Sequence, residues 1–134
     1  MANGAVARNE SELAVIRDIA GSEQDSPLLM LNMNRYTASA GFPEGGTYGE
    51  YMIALETLLP QVGGKILWRV PVLGQAVGEQ ALDEVLAVWY PSHRAFLEMP
   101  DAPGAKENYE LRAQCVEYAV IHRCPGQTAP FDGT

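Results

Sequence analysis

Residues 83–90, DEVLAVWY, constrain the fold most, because apolar side chains follow one another there almost without interruption. A strand with one solvated face alternates apolar and polar residues, whereas a strand covered on both faces reads as a continuous apolar run. The stretch therefore predicts a central strand of a sheet. Asp83 and Glu84 open this strand, and since adjacent strand residues face opposite ways, they make a poor acid–base pair.

A second strand is predicted at residues 28–36, LLMLNMNRY, where Asn32 and Asn34 interrupt an apolar run. Because they are two residues apart, their amides lie on the same face of the strand. Asparagine has low β-propensity, and a buried amide needs hydrogen-bond partners. The two amides either form the polar floor of a pocket between sheet and helices or satisfy backbone groups at the strand end, which suits Asn34 better than Asn32.

Two further strands are predicted at residues 65–78 and 116–123. Pro71 has no N–H to donate, which indicates an edge strand or a bulge. Strict alternation in the first of these strands separates two sets of side chains: Ile66, Trp68, Val70 and Val72 on one face, and Lys65, Leu67 and Arg69 on the other. Arg69 either reaches the pocket or is a solvated or dimer-interface charge, and we favour the second interpretation.

Helical periodicity separates these strands. Thr47 and Glu50 have the spacing of a capping box, and an apolar set follows at helical offsets: Tyr48, Tyr51, Met52, Leu55, Leu58, Leu59 and Val62. Because Pro60 breaks a helix interior, the last turn is expected to be irregular. The loop before this helix, TASAGFPEGG, is of the glycine- and proline-rich kind that often lies beside a site.

The second half of the chain predicts a short helix that begins after Ser92 and a longer one whose start lies near Asp101 and Pro103. An N-terminal helix carrying Leu13, Ile16 and Ala20 on one face is also predicted. Its narrow apolar stripe cannot hold it alone, so it must lie against the domain, lie against a partner subunit, or fray.

The resulting order, β-α-β-β-α-β, is that of an α+β ferredoxin-like fold with one antiparallel sheet and helices on one face. We divide the chain into an N-terminal helical extension (1–26), the ferredoxin-like domain (27–124) and an irregular C-terminal tail (125–134). With helices on one face only, about half of the apolar sheet is left bare, which a monomer rarely tolerates. We therefore predict a homodimer through the open sheet face.

Composition narrows the class of partner. The net charge of −8 and the pI of about 4.6 argue against nucleic acid or an anionic membrane, which would require a basic face. Nine residue-to-residue steps of extended chain, from Cys115 to Cys124, span roughly 30 Å, far beyond the ~7 Å limit for a disulfide. We therefore expect no intrachain disulfide and a cytoplasmic location. Neither the cysteines nor the histidines have a metal-ligand spacing, so no metal or cofactor is predicted.

Several segments together resemble a family of bacterial proteins of unknown function in the dimeric α+β barrel superfamily. They are LMLNMNRY, YGEYMIALETLLPQVGGKILWRV, DEVLAVWYPSHRAFLEM and LRAQCVEYAVI, within residues 28–122. The family carries a histidine-rich stretch just before the arginine that matches Arg112, and this chain has Tyr109, Glu110 and Leu111 there instead. This chain therefore has no imidazole at that place. The superfamily holds quinone-forming monooxygenases, lactone isomerases and haem-handling enzymes, so the resemblance does not select a reaction.

Six residues are ligand-binding candidates: Asn32, Arg112, Tyr109, Tyr51, Arg69 and His93. An arginine at position 112 clamps a ligand carboxylate or enolate, or else it pairs with an acid. Tyr51, like Tyr48, has core packing as its default. His93, next to the N-cap Ser92, is either a catalytic base or, more commonly, simply exposed. His122 would need a roomy apolar pocket to act as a haem ligand.

The sequence therefore predicts a protein that binds a small organic molecule between sheet and helices. If it is an enzyme, the expected chemistry is cofactor-free proton abstraction, isomerisation or monooxygenation of a small carbonyl or acid compound. Because no clear acid, base or nucleophile set is present, the alternative is a non-catalytic ligand-sensing or structural homodimer.

Overall fold

The computed structural model describes residues 8–126 and contains one four-stranded sheet and four α-helices. In chain order these are α1 (Glu10–Ala20), β1 (Leu28–Tyr36), α2 (Gly46–Leu58), β2 (Lys65–Pro71), β3 (Glu84–Tyr90), α3 (His93–Glu98), α4 (Ala105–Cys115) and β4 (Val116–Pro125). The strand and helix order predicted from the sequence is confirmed. The tail prediction for 127–134 and the first seven residues lie outside the described range.

All neighbouring strands of the sheet are antiparallel, in the order β2-β3-β1-β4. The apolar run at 84–90 is central, as predicted, and its Leu86 and Ala87 are both fully buried although they point to opposite faces. β2 is an edge strand, as Pro71 predicts. β4 runs to Pro125, two residues beyond the predicted strand end.

The core lies between one sheet face and the helices. Every second residue of β1 and β3 enters it, while α2 supplies the largest helical share. The irregular last turn predicted for α2 is confirmed, because residues 59–62 form a 3-10 turn around Pro60. Side-chain capping is correctly predicted only for α3, where Ser92 Oγ accepts the Ala95 N–H at 3.0 Å.

The capping box predicted at Thr47 and Glu50 is wrong. α2 begins at Gly46, and its N-cap is Gly45, two residues before the predicted N-cap Thr47; Gly45 has no side chain to accept a hydrogen bond. Gly46 has a φ of +51°, in the left-handed region that glycine adopts without strain. The glycine-rich loop itself therefore sets the start of the helix.

Strict alternation in β2 is also wrong, because a bulge at Leu67 shifts the register between Ile66 and Trp68. Ile66 pairs with Val88, whose side chain faces the helices. Trp68 pairs with Ala87, so its side chain points to the opposite face of the sheet. The bulge consequently moves Arg69 to the helix side of the sheet, and Lys65 stays on the open side beside the Trp89 ring.

α1 packs on its own chain rather than extending away from it. Ile16 is 2% exposed within the core, and Arg94 of α3 donates to the Ala20 carbonyl that ends α1. The Asp25 carboxylate then accepts the His93 N–H at 2.7 Å. The segment 8–26 is thus joined to the domain through α3.

The sheet face opposite the helices is apolar and has no helix of the described residues on it. Trp68 and Val70 are 48% and 46% exposed there, beside the half-buried Leu31, Met33 and Val85. Within residues 8–126, no helix combines the length and the hydrophobicity that a membrane crossing requires.

Candidate functional site

A buried carboxylate lies at the start of β3, between the sheet and α2. Glu84 is 3% exposed, and its two oxygens accept hydrogen bonds from Tyr36 Oη at 2.6 Å and Tyr48 Oη at 2.8 Å. Arg69 Nη1 lies 2.5 Å from Tyr48 Oη and 3.4 Å from Glu84 Oε2. With Asn34, whose Nδ2 donates to Tyr36 Oη at 3.2 Å, these residues are called the Glu84 cluster below.

Local structure explains why these side chains meet. Glu84 and Tyr36 lie on the helix side of neighbouring strands, and the bulge in β2 brings Arg69 to that side. The predicted site-flanking loop supplies Phe42, whose ring packs 5.1 Å from that of Tyr36 and 4.9 Å from that of Tyr48. The loop thus closes one wall of the Glu84 cluster with aromatic surface.

Electrostatics keeps the tyrosines of the cluster protonated. Burial, followed by the hydrogen bond to Glu84, raises the pKa of Tyr36 and of Tyr48 well above the ordinary value. Burial alone would lower the pKa of Arg69, but the adjoining Tyr48 and Glu84 oxygens raise it. The cluster is therefore a carboxylate paired with a permanent cation and two neutral donors.

A second polar group joins α2, α4 and β3. Burial raises the pKa of Tyr51, although the charge of Arg112 and its hydrogen bond act in the opposite direction. Burial also raises the pKa of Tyr90 and Tyr109, and Arg112 opposes the rise at both hydroxyls. Arg112 is thus near enough for its charge to lower the pKa of all three tyrosines, while Tyr109 itself remains 40% exposed.

Asn32 and Asn34 share the helix-facing side of β1, as expected, and the Oδ1 atom of each is buried with no donor among the described residues. Asn34 belongs to the Glu84 cluster through its other amide atom, whereas Asn32 lies opposite Leu86 and Ile121 of the adjoining strands. An unpaired buried carbonyl costs about 1–3 kcal/mol.

The predicted site residues fall into four places. Asn32 lies on the helix-facing side of β1, and Arg69 joins the Glu84 cluster. Arg112, Tyr51 and Tyr109 form the second polar group, and His93 lies beside Ser26 at the start of α3. The Leu67 bulge turns Arg69 to the helix side of the sheet, where it contacts Glu84, but its side chain stays 39% exposed, so the interpretation as a solvated charge holds in part. The expectation of an exposed His93 is wrong: its side chain is 5% exposed. His122 is exposed at the end of β4.

Sequence reasoning missed Glu84, Tyr36 and Asn108. Glu84 opens the predicted strand. Because every second side chain of a strand points the same way, Glu84 lies on the same, helix-facing side as Leu86 and Val88. Asn108 is 1% exposed on α4, with its Nδ2 unpaired among the described residues. Its position between Ala105 and Cys115, both buried, is the only signal that could have indicated this.

Two clefts of the described residues lie elsewhere in the molecule. One, of about 280 Å3, runs between α2 and α4 beside Ala54 and Gly104, and another, of about 320 Å3, is lined by residues that include His93 and Arg123. Cys115 and Cys124 are free thiols. Residues 8–126 contain no cluster of three or more histidine, cysteine or acidic side chains suited to a metal ion.

No protein-family model and no curated protein matches this chain. Among solved structures it is similar to the RPA0582 protein of Rhodopseudomonas palustris, a structural-genomics target of unknown function. The identity is 26% over 90% of this chain and 95% of that one, with a TM-score of 0.72. Methylated RPA0582 protein is 25% identical over 93% and 96% of the two chains, with a TM-score of 0.73. These likenesses support the four-stranded antiparallel α+β architecture.

Proposed function

We propose that the protein binds a small carbonyl or acid compound between β1 and the helices α2 and α4. The observation that carries this proposal is the buried Oδ1 of Asn32, which has no donor among the described residues. Natural proteins pair nearly all buried polar atoms, and those left unpaired are often functional. A ligand hydroxyl or N–H group would satisfy this oxygen.

The second polar group supplies the complementary chemistry. Arg112 is a cation beside buried hydroxyls, and a guanidinium suits a carboxylate or an enolate oxygen. Because burial raises the pKa of Tyr51, its hydroxyl stays protonated at neutral pH and donates a hydrogen bond rather than removing a proton. Arg112, the Nδ2 group of Asn32 and Tyr51 or Tyr109 would thus donate to and polarise a ligand oxygen, as cofactor-free isomerisation, monooxygenation or proton abstraction requires, while Oδ1 of Asn32 would accept from a ligand donor.

We further propose that the strand order and the helices on one face represent the ferredoxin-like arrangement, and that two copies pack through their open sheet faces as a homodimer. The half-exposed Trp68 and Val70 support this proposal, since contiguous apolar surface on a sheet is normally covered.

Native mass spectrometry of the purified protein tests ligand binding, because it reads the subunit number and any retained small molecule together. We expect a retained molecule in the wild type, and its loss in Asn32→Leu and in Arg112→Gln. Arg17→Gln on the exposed side of α1 is the matched control and should retain it. A wild type that carries no small molecule would refute this proposal for the purified protein.

Stability separates this function from the alternative of a non-catalytic ligand-sensing or structural homodimer. Asn32→Leu removes an unpaired buried oxygen, so we expect the free energy of unfolding to rise by about 1 kcal/mol. A structural asparagine would instead cost stability when replaced. The structural alternative is favoured by the Glu84 cluster, whose carboxylate is already saturated by partners in its own chain.

A further inference from the structure

A cleft of about 320 Å3, called the His93 cleft here, lies apart from Asn32 and Arg112. Its wall includes Gln24, Ser26, His93, Arg123 and Cys124. It lies where the segment after α1 meets the start of α3 and the end of β4. None of the residues assigned above to the proposed ligand site lines it.

The His93 ring is fixed in one orientation. Its Nδ1 lies 2.8 Å from the Ser26 carbonyl oxygen, which can only accept, so Nδ1 carries the hydrogen. The Asp25 carboxylate oxygen that accepts the His93 backbone N–H at 2.7 Å also lies 3.4 Å from the same Nδ1. In the neutral ring this tautomer leaves Nε2 as a hydrogen-bond acceptor.

Nε2 has no partner among the described residues, although the side chain is only 5% exposed. The ring is thus a polar group more than nine-tenths buried, at the wall of a cleft, with one nitrogen used and the other not. Leaving such an acceptor unpaired lowers the stability of the fold. The hydrogen bond from Nδ1 to Ser26 explains one nitrogen of the ring and leaves Nε2 without a structural role.

The charges around the cleft are already paired. Arg123 on its wall forms a two-bond ion pair with Glu12, and the Asp25 carboxylate accepts backbone N–H groups of His93 and Arg94. Since no unpaired charge of the described wall faces the cleft, electrostatics does not favour an ionic occupant.

We infer that the His93 cleft binds a small neutral molecule that donates an N–H or O–H hydrogen bond to Nε2 of His93. Because Nε2 is itself covered, the occupant must displace neighbouring side-chain atoms as it enters. We therefore expect affinity for minimal probes in the millimolar range, about −4 kcal/mol.

Imidazole nitrogen NMR of 15N-labelled protein tests this inference directly, with acetamide as the probe and acetone as its matched control. The two probes are similar in size, but only acetamide donates a hydrogen bond. We expect acetamide to move the His93 Nε2 resonance upfield in a saturable manner and acetone to leave it unmoved. The exposed His122 provides an internal control that should not respond.

A His93 Nε2 resonance that is indifferent to acetamide overturns the inference, and so does one that responds equally to acetone. His93→Phe, which keeps an aromatic ring, should weaken acetamide binding at least tenfold. The wild-type titration decides the matter even if that variant fails to fold. Neither outcome depends on the proposed ligand at Asn32, because that site has different residues.

Discussion

Arg69 Nη1 lies 3.4 Å from Glu84 Oε2, across two neighbouring strands, because a bulge at Leu67 turns the arginine to the helix side of the sheet. Regular alternation from Lys65 onwards would have placed Arg69 on the open face, away from Glu84. One inserted residue therefore gives the buried carboxylate its cation. The bulge therefore belongs to the geometry of the Glu84 cluster and is more than an irregularity of the edge strand.

Glu84→Gln should lower the free energy of unfolding by about 2–3 kcal/mol. The side chain is 4% exposed, and an amide in its place can accept at only one atom, so one tyrosine donor loses its partner. Urea unfolding of the two proteins measures the difference. Glu44→Gln on the exposed loop is the control, and an equal effect in both variants would contradict the importance of the cluster.

Alkaline pH should destabilise the protein through Tyr36 and Tyr48. Their pKa values are raised in the folded state, so the folded state holds protons more tightly than the unfolded chain, whose tyrosines titrate near pH ~10. The stabilisation is complete below that pH and declines above it, by about 1.4 kcal/mol per pH unit for each such tyrosine.

Urea unfolding between pH 9 and 11, run beside absorbance at 295 nm to follow tyrosinate, measures this decline. Tyr48→Phe should flatten the pH dependence, because phenylalanine does not titrate. A slope that Tyr48→Phe leaves unchanged would show that the decline has another source.

Acid pH should lower the stability of the protein through Asp25. Burial alone would raise the pKa of this carboxyl, but the backbone N–H groups of His93, Arg94 and Ser26 lower it below the ordinary value. A lowered folded pKa contributes stability above the unfolded value near ~3.9, and this stability is lost as the pH falls through the lower folded pKa. Asp25→Asn should therefore cost about 1 kcal/mol at pH 7 and have a smaller effect at pH 2.

Thermal unfolding at the two pH values gives this comparison. Asp18→Asn, at an exposed position of α1, removes the same charge without those backbone contacts and should be close to neutral. If Asp25→Asn and Asp18→Asn behave alike, the link between α1 and α3 does not depend on the carboxylate.

The strands and helices were predictable because their signals are local and strong. The apolar run at 84–90 and the heptad-like spacing on α2 each state which faces are buried, and the structure agrees. The polar site was less predictable, because its geometry depends on register. A single bulge at Leu67 reverses the face of Arg69, and no turn residue or proline at that position announces it.

The burial of polar side chains was the other feature that the sequence did not predict. His93 is covered because Asp25 and Ser26 fold back onto the start of α3, a contact between residues more than sixty positions apart. Periodicity within a helix cannot show such a contact. Asn32 was placed correctly since its face follows from strand alternation alone.

Trp68→Lys should separate the proposed homodimer. The Trp68 side chain lies on the open sheet face and is 48% exposed in the single chain, so a second copy packed there would cover it. A lysine ammonium within that interface loses its hydration without gaining a partner, at a cost of several kcal/mol. We expect a dimer dissociation constant at least a hundredfold weaker, since each 1.4 kcal/mol corresponds to about tenfold.

Sedimentation velocity over a range of micromolar concentrations reports the change. Leu73→Lys is the matched control: Leu73 is 97% exposed in the connection between β2 and β3, beyond the end of the edge strand. The same charge there should leave the dimer intact if the sheet face is the interface. A monomeric wild type would refute the proposed dimer itself. A dimer that persists in Trp68→Lys but dissociates in Leu73→Lys would show that the interface lies at the connection between β2 and β3 instead.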